Sequence, residues 1–359
     1  MILVCNNFEY DGKSLTGLKL SSVNFDDDTT LPSSLSREME SSTMNKYRPE
    51  TNGFGIKYTE SLNFDIYITK DTTLYGGQDE FEFTPDEYEN IVAWLTSPNQ
   101  NKWLKITTEN NKECKVKGYF SSVTPYDNWG ICYGIKCTFN CNSPFSYVEK
   151  TLEKTASGIL NFLVNNESSE RYDYVYPVIK IHPTQNEDIF LHNMSDSQTI
   201  DSGTLSITSD NSQDMELLIA QINNYAKLHG LTVEYMYEDD GTTIKTICDK
   251  TAILFYFTDK YGVKNKYAAY YLESNGNYYL VRSGFFYCKL LKELPIEIDC
   301  KNLSIYDEIQ RPVVFETIGI QDEDEIYWMR FVYGNNSMCV RGHFDITIDY
   351  LEPRKGMLI

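Results

Sequence analysis

Along the first half of the chain, apolar and polar positions alternate in short runs. Leu62, Phe64, Ile66 and Ile68 are separated by Asn63, Asp65 and Tyr67, the period of two expected of a strand with one buried face. Residues Trp103 to Thr108, Glu113 to Phe120 and Gly130 to Cys141 read as further strands. The period changes once, after Thr84. Thr84-Pro85-Asp86-Glu87 offers an N-cap, a proline at the first helical position and a capping-box glutamate. Tyr88, Ile91, Val92 and Leu95 then follow at helical spacing, and Ser97-Pro98-Asn99 stops the run. Between the opening strands and Phe54 lies a polar stretch from Asp26 to Gly53. It is too long for an ordinary connector and is expected to be an arm, a hairpin or a functional loop.

Asn142-Ser143-Pro144 closes this block, so residues 1–150 form one expected domain. A polar segment over 151–175 reads as a linker. Tyr176 to Ile181 opens a second unit as a strand, and Ile296 to Cys300 and Phe331 to Tyr350 supply its later strands. Gly334-Asn335-Asn336 has the composition of a hairpin turn. The second unit is thus expected to occupy 176–205 and 292–359, interrupted by an α+β insertion over 206–291. In that insertion Met215, Leu218, Ile219, Ile222 and Ala226 mark an amphipathic helix ending at Gly230. Short strands rich in Tyr and Phe follow, split by Asp239-Asp240-Gly241 and Asn275-Gly276-Asn277.

Composition sharpens the fold class. The 359 residues are 14% aromatic, with 28 Tyr, and Tyr favours pleated, half-buried surfaces. The fold class is therefore mainly β. The formal net charge of −20 repels nucleic acid and anionic lipid, and no run approaches the roughly 20 apolar residues of a membrane span. Met1 to Asn7 lacks the basic region and the long apolar run of a signal peptide, so folding in a cytoplasm and nine free thiols are expected. Cys137 and Cys141 share a strand face about 13 Å apart, too far for a disulfide or a shared zinc ion.

Candidate chemistry is sparse. Gly12-Lys13-Ser14 looks like the end of a P-loop, but Asn7 stands where that motif needs glycine. His182, His192, His229 and His343 are never within four residues of one another, which removes the helical spacing of hydrolytic metal sites. No Gly-x-Ser-x-Gly elbow singles out a nucleophilic serine. Glu316 and Asp322 to Glu325 are the nearest thing to paired carboxylates or a calcium loop. The segment lacks EF-hand spacing and reads better as a solvated acidic loop. No catalytic residue, metal or cofactor is expected, and the chain is expected not to be an enzyme.

The order of segments is more telling than any one motif. Phe8-Glu9-Tyr10-Asp11-Gly12-Lys13-Ser14 leads to Leu18-Lys19-Leu20. Ser36-Arg37-Glu38-Met39-Glu40, the strand Tyr58 to Ile68, the helix with Trp94-Leu95 and Cys141-Asn142-Ser143-Pro144-Phe145-Ser146 follow in turn. This succession resembles the distal tail (Dit) proteins of long-tailed siphophages. Pro295 to Cys300 and Tyr333 to Ser337 look like the closing strands of their galectin-like sandwich. The resemblance implies an N-terminal split β-barrel or sandwich with one helix and a C-terminal galectin-like β-sandwich. It also implies a homo-hexameric ring at the tail tip, or baseplate, with a channel for DNA. Implied partners are the tail tube protein, the tape measure protein, the tail-associated hub and receptor-binding proteins, in the virion. Acidic walls would not bind DNA in transit.

Within that picture Arg37, Tyr47 and Arg48 are candidate ring contacts. Tyr267, Tyr270, Tyr271, Tyr278 and Tyr279 are a candidate contact surface on the insertion. Alternate strand residues face opposite ways, so Tyr270 and Tyr271 cannot enter one core and some rings should stay on the surface. The rival readings are a carbohydrate-binding module recognising host saccharides, and a tail-associated hydrolase.

Overall fold

The computed structural model describes residues 5–23, 37–43, 51–58, 61–71, 73–74, 81–108, 111–128, 130–200, 214–247, 252–274, 277–292, 294–320 and 326–355. Strands dominate, with two α-helices among the described residues. The chain divides into two compact units, Met1–Glu149 with Glu352–Ile359, and Lys150–Leu351.

In the first unit, β1 (Cys5–Tyr10), β2 (Lys13–Ser14) and β3 (Leu20–Val23) come first. A hairpin of β4 (Arg37–Thr43) and β5 (Thr51–Tyr58) follows, then β6 (Asn63–Lys70), α1 (Pro85–Thr96), β7 (Lys102–Thr108), β8 (Glu113–Asn128) and β9 (Ile131–Cys141). Antiparallel pairing runs β2-β1-β7-β8-β9-β6-β3. The alternation read from the sequence is realised: Phe64, Ile66 and Ile68 of β6 and Ile135, Cys137 and Phe139 of β9 turn into one core. Tyr10 meets Phe120 edge-on at 5.0 Å and Phe120 meets Phe139 at 4.9 Å, ring geometries that add to area burial. Helix α1 begins with the expected capping box between Thr84 and Glu87. It buries Ile91, Trp94 and Leu95 on this core. The Trp94 indole N–H donates to the Tyr10 carbonyl at 2.9 Å, so the one polar atom of a buried ring is satisfied.

The expected linker is a strand. β10 (Phe145–Asn166) spans most of 151–175, and its alternation of polar with apolar residues hides a strand in a polar composition. The second unit continues with β11 (Val178–Pro183), β12 (Glu187–Thr199), α2 (Met215–His229), β13 (Thr232–Tyr235), β14 (Thr246–Ile247) and β15 (Ala252–Thr258). β16 (Lys264–Ser274), β17 (Asn277–Leu290), β18 (Ile296–Asp299), β19 (Ser304–Asp307) and β20 (Gly334–Lys355) complete it. Its strands run β19-β18-β11-β20-β12-β17-β16-β15, with β13 and β14 both on β15. β20 pairs with β12 through Arg341 and with β11 from Phe344. The change of partner falls at Gly342, whose φ of +139° suits no side chain and whose missing Cβ leaves room for the Phe344 ring.

Two expectations are corrected here. Gly334-Asn335-Asn336 is not a hairpin turn but the start of β20. Asn336 is buried, donates to the Val332 carbonyl at 2.9 Å, and accepts from the Asn193 amide at 2.9 Å. A turn-type residue serves there as an internal polar clasp. The expected domain edge at 291/292 also separates what the sheet joins, because β17 pairs with β12 from Glu187 to Thr199. The last strand of the insertion is therefore part of the main sheet of the second unit.

Candidate functional site

The polar stretch near the N-terminus contains a hairpin. β4 and β5 pair from Arg37↔Tyr58 to Thr43↔Thr51, with a bulge between Glu40 and Ser41. They form a two-stranded sheet that no third described strand joins. Met39 is 65% exposed. Tyr58 at its base packs edge-on against Phe145 at 4.9 Å. Arg37 begins β4, but its side chain, like the whole of Tyr47 and Arg48, lies outside the described residues.

The tyrosines of the second unit are distributed over two cores. β15, β16 and β17 are buried on both faces. One face packs on Phe190, Phe285 and Cys339, and the other is covered by Leu218, Ile222 and Ala226 of α2. Asp214 caps α2 by accepting from the amides of Glu216 and Leu217, and Gly230 ends it in the left-handed region. Tyr270 enters the first core at 1% exposure, with its hydroxyl donating to the Met194 carbonyl. Tyr271 packs on the second, and its hydroxyl donates to Gln221 at 3.2 Å. As strand alternation requires, Tyr270 and Tyr271 do not share a core: each face of the sheet has its own. Tyr267 also packs under α2, Tyr278 is half-buried beside Glu273, and Tyr279 is 43% exposed. Of the five, only Tyr279 is an open contact residue.

Sequence reasoning missed the cluster at the edge of the helix-covered face. Asp196 on β12 accepts from Arg330 Nε at 2.7 Å and from the Tyr327 hydroxyl. Arg330 also lies over the Tyr174 ring at 4.0 Å. Tyr327 reaches Asp196 because Gly284 lets its ring lie against the β17 backbone, where a Cβ would come within 2.0 Å of the ring. Burial and the Asp196 charge hold the Tyr327 hydroxyl protonated well above the usual range. Beside this group is a cleft of about 220 Å³ lined by Gln198, Asn265, Tyr267, Arg282, Tyr327 and Arg330, among others. No local motif marks it, since its residues come from β12, β16, β17 and the segment before β20.

His192 is wholly buried, bonded through Nε2 to Ser283 Oγ at 2.5 Å, with Nδ1 unpartnered. Desolvation pushes its pKa down to about 3, so the ring is neutral. His229 ends α2 and His343 faces Glu187. Burial raises the thiols of Cys5, Cys114, Cys141 and Cys300 to about 12, which suppresses thiolate chemistry. The expectation of nine free thiols is corrected at Cys339, which is disulfide-bonded. Cys248 lies outside the described residues. Spacing along one strand excludes a pair within that strand and says nothing of cysteines brought together from separate elements. Among the described residues, no group of three or more His, Cys, Asp and Glu could hold a metal ion. No described helix is long and apolar enough to cross a membrane.

Comparison with known proteins bears on the first unit. Residues 3–143 match a family described as the phage tail protein N-terminal domain. No curated protein matches the chain. Among solved structures, the Dit protein (gp 19.1) of phage SPP1, described as a paradigm of the hub adsorption apparatus in phages infecting Gram-positive hosts, is 12% identical. That alignment covers 97% of this chain and 98% of that one, with a TM-score of 0.47. The baseplate of phage P2 in its activated conformation with calcium is 9% identical over 96% and 98%, with a TM-score of 0.37. Its strontium form is 9% identical over 99% and 100%, also with a TM-score of 0.37. Residues 3–143 are thus similar to the N-terminal domain of phage tail proteins.

Proposed function

We propose that the chain is a distal tail protein, a non-enzymatic subunit whose copies form a hexameric ring at the tail tip around a channel for DNA. The observation that carries this reading is the family match over residues 3–143, which covers nearly all of the first unit. In this reading the first unit closes the ring between the tail tube, with its tape measure protein, and the tail-associated hub. The second unit faces outward towards receptor-binding proteins. The β4–β5 hairpin supports a contact between copies. A two-stranded ribbon is marginal alone in water, and a long arm gains enough to offset its ordering entropy only by packing on something. The net charge of −20 suits a conduit that does not hold DNA. The buried, unreactive thiols and the neutral His192 support a structural role over a hydrolytic one.

Light scattering on the purified chain, alone and mixed with the neighbouring tail proteins, tests the assembly. The expected result is a species of six times the chain mass, lost when Ser33 to Pro49 are deleted while the monomer stays folded. Monomer alone at high concentration, with and without partners, would overturn the reading.

A further inference from the structure

We infer that the cleft beside Arg282 binds a single carboxylate carried on a ligand about the size of one sugar ring. Arg282 lies on β17 directly opposite Gln198 of β12 and Ala269 of β16, so these residues share the sheet face that α2 covers. Its guanidinium is held among three rings, 4.5 Å from Tyr267 and 5.5 Å from both Tyr225 and Phe257. Stacking uses the faces of the guanidinium and leaves its in-plane N–H donors. Among the described residues Arg282 has no hydrogen bond or ion pair to use them. The other guanidinium of the cleft differs in this respect, because Arg330 is joined to Asp196 through both Nε and a terminal nitrogen, at 2.7 and 3.3 Å.

An arginine fixed by aromatic rings, with no acidic partner among the described residues, is unexpected in a chain with 52 acidic residues against 32 basic ones. Arginine forks match carboxylates in a bidentate manner, so the vacant donors define the ligand's charged group. Arg330 is already paired with Asp196, so Arg282 is the guanidinium left to meet an anion, and a single fork matches a carboxylate monoanion better than a dianionic phosphate. Lys266 also lines the cleft, but its ammonium sits 5.5 Å from the Tyr287 ring. The rest of the lining sets the ligand's body. The amides of Gln198 and Asn265 are exposed and can meet hydroxyl groups, and Tyr327 offers a fixed ring. A space of about 220 Å³ holds several waters and therefore one small polar ring. A carboxylated monosaccharide, of the uronic acid type, meets all of these conditions.

Titration calorimetry of the full chain with D-glucuronate, D-glucose and inorganic phosphate tests the inference independently of ring formation. Saturable binding of glucuronate is expected, with glucose and phosphate at least tenfold weaker. Arg282→Gln and Arg282→Lys should each weaken glucuronate by tenfold or more, since lysine keeps the charge and loses the fork. If Arg282→Gln fails to fold, Gln198→Ala at an exposed position should still weaken glucuronate a few-fold. Absence of glucuronate binding, equal binding of glucose or phosphate, or affinity unchanged in a folded Arg282 variant would each overturn the proposal.

Discussion

The first unit gathers its strands around one apolar core, whereas β15, β16 and β17 of the second unit lie between two. In the first unit the period of two decides which residues enter that core, as Phe64, Ile66 and Ile68 do, while Tyr67 between them is buried outside it. In β16 Tyr270 is buried on one side of the sheet and Tyr271 packs, partly buried, against the core on the other. The helix makes the difference: α2 covers the second face of the sheet, and a sheet covered on both faces tolerates continuous apolar runs such as Ala252 to Phe257. Sequence alternation therefore reports the number of covered faces before it reports exposure.

The largest effect that separates the two tyrosine classes is expected for Tyr270→Ala. Removing a fully buried ring costs about 3–5 kcal/mol, and chemical denaturation of the full chain should show it, whereas Tyr279→Ala should stay within about 0.5 kcal/mol. Equal losses would erase the distinction. Next comes an acid sensitivity carried by His192 of the second unit. His192 has a folded pKa of about 3, below the ~6.5 of an unfolded histidine, so the unfolded chain binds the extra proton. The stabilising contribution is complete above pH 6.5 and is lost as pH falls towards 3, by about 1.4 kcal/mol per unit. Denaturation midpoints between pH 7 and 4.5 should fall less steeply in His192→Gln than in the unaltered chain.

A smaller loss, about 1–3 kcal/mol from overpacking, is expected for Gly284→Ala. The added methyl would displace the Tyr327 ring from β17 and break its bond to Asp196, which would lower the Tyr327 hydroxyl pKa seen in ultraviolet titration. The smallest is Thr84→Ala in the first unit, about 1 kcal/mol for a lost N-cap. It should leave the pH profile from His192 untouched, because that histidine belongs to the other unit.

What was legible in the sequence follows the same division. Strands β6, β7, β8 and β9 and the ends of α1 could be read because each has one covered face or a local capping signal. Helix α2 was equally plain, from its apolar spacing to Gly230. β10 was hidden by polar composition, since a long strand with a solvated face needs few apolar residues. Asn336 misled because asparagine in a turn and asparagine in a buried clasp look alike until Asn193 is known to face it. The Arg282 cleft was illegible for a simpler reason. Its lining comes from residues 196 to 330, and only the pairing of β12, β16 and β17 brings them together.

The central claim is that the first unit closes into a ring at a tail tip. A negative-stain image of the purified full chain, with its neighbouring tail proteins added where the chain alone is monomeric, tests it most directly. The account predicts six-fold rings with a stain-filled central hole. Discrete particles without a hole under both conditions would contradict it.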